Sequence, residues 1–239
     1  MKKIEMVIFD MAGTTVQDKN EVEKCFVDAA ESTGLTYDRD EIVSMMGWSK
    51  RLVFETLWRK ALPGAENGFL DKKVDESYAK FKEVLENHYR SEPVLAAEGA
   101  IEIFGFLRSK EIKIGLTTGF YRKVTDIILR RLGWDNSLNY KYVGNTKSVI
   151  DVSVSSDQVA CGRPAPDMIL RAMELCGVKD IKQVINIGDT PSDILSGKNA
   201  KCLLSLGITN GTHTREQLEK YENDGLLNNL FELKALIEN

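Results

Sequence analysis

Four short strings hold the residues able to do chemistry at a fixed place. Phe9-Asp10-Met11-Ala12-Gly13-Thr14-Thr15 ends an apolar, β-rich run with a carboxylate and a glycine-containing turn, so that Asp10 would project from a strand end into a cleft. Leu116-Thr117-Thr118-Gly119 ends a second run with a hydroxyl and an unobstructed backbone N–H, groups that hold phosphoryl oxygens without adding charge. Gly162-Arg163-Pro164-Ala165-Pro166-Asp167 offers a cation, Arg163, on an approach stiffened by two prolines, with Pro166 suited to a first helical turn. Gly188-Asp189-Thr190-Pro191-Ser192-Asp193 sets two carboxylates four residues apart where a strand would give way to a helix, a donor set suited to Mg²⁺. Each string alone has an ordinary explanation, because an aspartate after a strand often only caps a helix and a GDxxxD string can be a turn. Together, in this order, they imply one site.

The elements that would position them follow from periodicity. Apolar runs at Ile4 to Phe9, Ile112 to Leu116, Lys141 to Val143, Val184 to Ile187 and Cys202 to Leu206 alternate with helical patterns, which predicts a parallel α/β sheet flanked by helices. In such a sheet ligands bind beyond the carboxyl ends of the strands. Between the first two runs lie about 100 residues, far more than one crossover needs. Their pattern is helical over Glu21 to Ser32, Asp40 to Met46, Leu52 to Ala61 and Asp71 to Tyr89, so this stretch is expected to be an inserted helical unit. Its boundaries are expected near Asp18 to Asn20 and near Ser91 to Ala97, where polar residues and Pro93 interrupt the pattern. Thr214 with Gln217 forms a capping box for one of the last helices.

Composition narrows the partners. The 32 basic and 36 acidic residues are interspersed and leave a net charge of -4, so no basic stripe invites nucleic acid or an anionic membrane. No apolar run approaches the roughly 18 to 20 residues of a spanning helix. Cys25, Cys161, Cys176 and Cys202 are scattered without a CxxC pair, which suggests neither zinc nor disulfides and makes a reducing cytoplasm the expected setting. His88 and His213 stand apart from any Ser or Cys triad motif. A homodimer is compatible with the sequence, although no heptad seam marks an interface.

The four strings, in order and spacing, resemble the motifs of the haloacid dehalogenase superfamily along essentially the whole chain. The resemblance implies a Rossmann-like core from residues 1–17 and 97–239 with the first strand central, and a helical cap from residues 18–96. It implies Asp10 as the nucleophile that forms an aspartyl-phosphate, Thr118 and Gly119 as binders of the transferring group, and Arg163 as the cation that neutralises charge developing there. It also implies Mg²⁺ held by Asp10, the Ala12 carbonyl and Asp189, with Asp193 ligating directly or through water. A carboxylate approaching an anionic phosphoryl group needs that cation.

Ala12 departs from the superfamily's usual pattern, in which a second aspartate serves as general acid and base, help typically worth roughly 10² to 10⁴ in rate. One subfamily dispenses with it, and its Asp-x-Ala-Gly-Thr-Thr opening is similar to Asp10 to Thr15: the phosphonatases, which cleave a carbon–phosphorus bond through a Schiff base on a cap lysine. By that likeness Met46-Gly47-Trp48-Ser49-Lys50 makes Lys50 the candidate lysine, with Met46, Gly47, Trp48 and Ser49 near the substrate. An amine partly neutral near pH 7 would require desolvation or a nearby cation, for which Arg51 is next in sequence. Two phosphonatase residues are replaced: a histidine by Val53 and a tyrosine by Phe120, with Tyr121 adjacent but out of register. Gly-x-Ser followed by a basic residue also occurs in the caps of sugar-phosphate mutases and phosphatases, where that residue binds a distal anion. Lys50 is therefore open to three readings: imine-forming amine, anion-binding cation, or surface lysine. The substrate is expected to be a small phosphonate or phosphate, and the missing acid at position 12 leaves open a catalytically slow protein that binds such a metabolite.

Overall fold

Met6, Val7, Ile8 and Phe9 form β1 (Met6–Phe9), fully buried, with successive side chains pointing to opposite faces of a sheet. Val7 and Phe9 join one apolar core, while Met6 and Ile8 join a second on the other side. The computed structural model describes residues 3–238. Its sheet adds β2 (Lys113–Thr118), β3 (Val152–Ser155), β4 (Val184–Gly188), β5 (Leu204–Ile208) and β6 (Leu226–Leu227). All neighbours pair parallel, in the order β3-β2-β1-β4-β5-β6. The chain moves outward from β1 on one side and then returns to its other side, so a crevice opens at the carboxyl end of β1.

Helices cover both faces. On the Phe9 side, α5 (Ala100–Ser109) brings Phe104 edge-on to Phe9 at a centroid distance of 5.6 Å. On the Ile8 side, α7 (Asp167–Cys176) packs Met168, Ile169 and Ala172 against β1 and β3. The helices α6 (Arg122–Leu132) and α8 (Pro191–Ala200) follow β2 and β4, and α9 (Arg215–Leu218) and α10 (Glu232–Glu238) complete the chain. Thr214 caps α9 in the expected box with Gln217.

One expected strand is wrong. Lys141 to Val143 is not a strand: Tyr142 has a positive φ of 59°, and Val143 makes a single antiparallel bridge to Val152. The true neighbour of β2 is Val-Ser-Val-Ser at 152–155. Its two buried serines hid it from an apolar search, and the structure satisfies their hydroxyls through Arg122 and Thr125. The Cys202 to Leu206 strand shifts to Leu204–Ile208, and β6 carried no signal.

Between β1 and α5 stand four helices: α1 (Glu21–Ser32), α2 (Arg39–Ser44), α3 (Lys50–Ala61) and α4 (Asn67–Ser91). Phe26 of α1 stacks on Phe54 of α3 at 4.1 Å, and both meet Phe81 of α4. Each such ring, withdrawn from water, contributes about 1.5 to 3 kcal/mol. The two linkers to this unit run side by side. Gln17 N–H donates to the Leu95 carbonyl (3.0 Å), Ala97 N–H donates to the Thr15 carbonyl (2.8 Å), and Val16 bridges Ala96.

Candidate active site

Asp10 leaves the end of β1 with its backbone N–H donating to the Ile187 carbonyl of β4 (2.9 Å), which fixes the side chain over the crevice. It is only 6% exposed. Arg163, equally buried, donates from Nη1 to Asp10 Oδ1 (2.5 Å) and from Nη2 to Thr117 Oγ1 (2.7 Å). The same Nη1 lies 2.6 Å from Asp193 Oδ1 but off the hydrogen-bond axis, leaving that buried oxygen without a hydrogen-bond partner. The other oxygen of Asp193 is the reciprocal acceptor of a capping box, taking Thr190 N–H at 3.0 Å and Thr190 Oγ1 at 2.5 Å at the start of α8. Asp189 follows Gly188 at the end of β4, and accepts from Thr14 Oγ1 (3.2 Å) and from Thr212 N–H (2.7 Å).

Electrostatics at this cluster favour the binding of a cation. Burial, only partly countered by Arg163, pushes Asp10 well above the usual carboxylate range, and Asp193 and Asp189 push it further. Burial and then Asp193 lift Asp189 to about 6. Burial opposes the charge of Arg163, yet Asp193 and Asp10 outweigh it and raise its pKa. Three carboxylates thus face one guanidinium, and oxygens of Asp10, Asp189 and Asp193 lie within 4.8 Å of one another. With one oxygen of Asp193 lacking a hydrogen bond, these residues fit a divalent cation. The Ala12 carbonyl accepts no hydrogen bond among the described residues and is free to join them. Gly13, at φ 93°, is required beside them, because a Cβ would collide with the Asp189 carboxylate.

A cavity of about 360 Å³, counting space open to solvent, extends from Asp10 toward the four-helix unit. Thr118 at the end of β2 and Gly119 just after it line the cavity on one side, and Met46, Gly47 and Lys50 line it from the loop before α3 and its first turn. Trp48 and Ser49 do not: Trp48 packs against the apolar core, and Ser49 is the residue before α3. Lys50 is 4% exposed, its Nζ 3.5 Å from Met46 Sδ, so it is not a surface lysine. Burial lowers its pKa to about 8 even though the charges of Asp18 and Asp10 favour the ammonium form. Arg51 is not responsible, correcting the sequence expectation. Its guanidinium turns away to Asp75 (2.9 Å) and Glu55 (3.9 Å).

Gly47 and Gly119 let the two halves of the site meet. A Cβ on Gly119 would sit 2.7 Å from the Gly47 carbonyl oxygen and 2.9 Å from that of Trp48. Gly119→Ala is therefore expected to push the loop bearing Lys50 outward, and a displacement of about 1 Å can cost roughly 10²-fold in rate. Steady-state kinetics should show that loss in kcat, with far-UV circular dichroism unchanged.

Several lining residues escaped the sequence reading. Thr190 stood in plain view inside the Gly188 to Asp193 string, whereas Thr212 and Asp18 had no motif to mark them. Phe120 lines the cavity, and Tyr121 does not replace it, because its hydroxyl donates to Glu86 Oε1 (2.9 Å). Val53 is core. Cys25 is buried with its thiol pushed up to about 12, and none of the four cysteines is paired. His213 is buried with its pKa lowered by burial.

A family model described as haloacid dehalogenase-like hydrolase matches residues 4–201. The chain belongs to the haloacid dehalogenase-like hydrolases. Phosphonoacetaldehyde hydrolase of Bacillus cereus (strain AH187) is 34% identical over 211 residues, spanning 83% of this chain and 73% of that protein. The phosphonoacetaldehyde hydrolase of Parabacteroides distasonis is 29% identical over 235 residues, spanning 89% and 79%. Within its family this hydrolase is phosphonatase-like. A hydrolase from Pseudomonas syringae superposes with a TM-score of 0.78 at 21% identity, covering 98% of each chain. A phosphonoacetaldehyde hydrolase-like protein from Oleispira antarctica does so with 0.77 at 18% identity, covering 98% and 91%. At these identities the structures establish a shared fold. Among the described residues of the hydrolase, no helix is long and apolar enough to cross a membrane.

Proposed function

We propose that this hydrolase cleaves the carbon–phosphorus bond of phosphonoacetaldehyde or a closely related aldehyde phosphonate, with Lys50 forming an imine and Asp10 attacking phosphorus. The observation that carries the reading is the buried Lys50 amine, lowered to about 8, in the same cavity as Asp10. About one tenth of such an amine is neutral at pH 7, enough to add to an aldehyde.

Lys50 Nζ adds to the carbonyl carbon, and loss of water gives an iminium. Asp10 Oδ then attacks phosphorus, and the electron pair of the breaking C–P bond flows into the iminium to give an enamine. Arg163 holds Asp10 in place and offsets negative charge as the transfer proceeds, while Thr118 and the Gly119 N–H receive phosphoryl oxygens. Water attacks the phosphorus of the aspartyl-phosphate, returning Asp10 and releasing phosphate, and protonation and hydrolysis of the enamine free Lys50. Asp10, the Ala12 carbonyl, Asp189 and Asp193 would hold Mg²⁺, which when bound supplies the positive charge that lets a carboxylate approach a phosphonate. Because the leaving carbon departs as an enamine, no acid is needed at position 12. Residues 18–96 serve as a cap that moves on the paired linkers around 16–20 and 91–97, shutting out bulk water for the first transfer.

Hydrolysis of a small phosphate monoester is the second reading. It is favoured by the roughly nine tenths of Lys50 that stays charged at pH 7 and could pair with a distal anion. An assay of phosphate release with Mg²⁺ on phosphonoacetaldehyde and a panel of sugar phosphates separates the two. Faster turnover of the phosphonate is expected; turnover of esters alone would reverse the order.

A further inference from the structure

We infer that Asp18 is the proton carrier for imine formation at Lys50, a role resting on the C–P cleavage reading above. Asp18 lies on the linker between β1 and α1 and lines the cavity together with Asp10 and Lys50. Its Oδ1 is pinned at the start of α1 by the N–H of Glu21 (2.7 Å) and of Val22 (3.4 Å), which fixes the carboxyl in place. After Asp10, Asp189 and Asp193 are assigned to phosphorus and cation, it is the carboxyl remaining in the cavity lining.

Its surroundings suit proton exchange. Burial and then the carboxyl of Glu21, itself held by Lys19 N–H, lift Asp18 to about 7, so acid and base forms coexist at neutral pH. The groups facing it are Glu21 and Cys25 of α1, Lys50 of α3, Tyr89 of α4, and Asp10 across the cavity. Of these, Lys50 is the one whose reaction must move protons.

The step balances as follows. As the Lys50 amine adds to the carbonyl carbon, the C=O π pair moves to oxygen, which takes the Asp18 proton. The Asp18 carboxylate then removes a proton from the new ammonium, leaving a neutral carbinolamine. Asp18 returns that proton to the hydroxyl, which leaves as water while the nitrogen lone pair closes the C=N⁺ bond. Amine, aldehyde and one carboxyl proton become iminium, water and carboxylate.

A purely structural role would also explain the contacts with Glu21 and Val22, and asparagine discriminates, since it caps a helix about as well as aspartate but carries no exchangeable acid proton. The test compares wild-type protein, Asp18→Asn and Asp18→Ala, with Mg²⁺, on phosphonoacetaldehyde, reading kcat, KM, the pH profile and thermal midpoint. Asp18→Asn is expected to lower kcat by about 10²-fold with little change in KM, and to melt at or above the wild-type midpoint at pH 7 to 8, because the stability that Asp18 contributes below its unfolded pKa is lost as pH rises through about 7. It should also erase the ionisation near pH 7 and shift the Lys50 limb to lower pH, because a neighbouring negative charge is lost. Asp18→Asn within about twofold of wild-type kcat, with the wild-type pH profile, overturns the inference while leaving the C–P reading intact. A wild-type enzyme that does not turn over the phosphonate overturns both.

Discussion

Asp10→Asn is expected to cut turnover by about 10⁴-fold or more, the scale seen when a nucleophile is removed from a covalent mechanism. The amide preserves shape and one acceptor toward Arg163 but cannot form the acyl phosphate. The variant should nonetheless fold well, and the sign of the pKa shift says so. Asp10 titrates above its unfolded value in the folded protein, so its contribution is fully present below pH about 4 and is lost as pH rises through the folded pKa. Asparagine does not titrate and so escapes that loss as pH rises. The metal-free variant should therefore melt at or above the wild-type temperature at pH 7 to 8. Added Mg²⁺ should raise the wild-type midpoint and leave that of Asp10→Asn nearly unmoved, because ligand binding to the folded state is what produces the shift. Differential scanning fluorimetry with and without Mg²⁺ reads both effects without an activity assay.

Lys50→Ala is expected to lower phosphonoacetaldehyde turnover by at least about 10³-fold, since without the imine the C–P pair has nowhere to go. Lys50→Arg sharpens the test. It keeps the charge but cannot form the imine, so it should be equally dead on the phosphonate, whereas an anion-binding role would survive in part. The rate should climb from pH 6 as the amine is freed, pass a maximum between about 7 and 8, and fall beyond it as Asp18 loses its proton; in Asp18→Asn the falling limb should vanish. Stability also responds to the amine. A lysine lowered to about 8 is a liability while charged, relieved as pH rises from 8 toward its unfolded value of 10.5. Lys50→Met should thus melt higher than wild type at pH 7, and the gap should close by pH 10.

Much of this site was legible because the chain marks strand ends chemically. Asp10, Thr118 and Asp189 each close a buried apolar run, and the sheet order makes those ends adjacent. The long helical stretch between the first two strands was legible from length alone. What stayed hidden is tertiary. Val-Ser-Val-Ser reads as polar until Arg122 and Thr125 meet its hydroxyls. Lys50 was marked in the sequence only by likeness, with a surface lysine still open; its burial is tertiary, and its pKa depends on that burial rather than on Arg51. Asp18 sits in a stretch that looks like a solvated linker, and its place in the cavity lining beside Lys50 emerges only in the fold.

The central claim is that one active site joins a nucleophilic carboxylate to an imine-forming lysine. Its most direct test is borohydride quenching during turnover of phosphonoacetaldehyde with Mg²⁺, followed by peptide mass mapping. A reduced two-carbon adduct on Lys50 in wild-type protein, together with loss of activity in step with its formation, is the predicted result. Steady phosphate release with Lys50 unmodified would contradict the account.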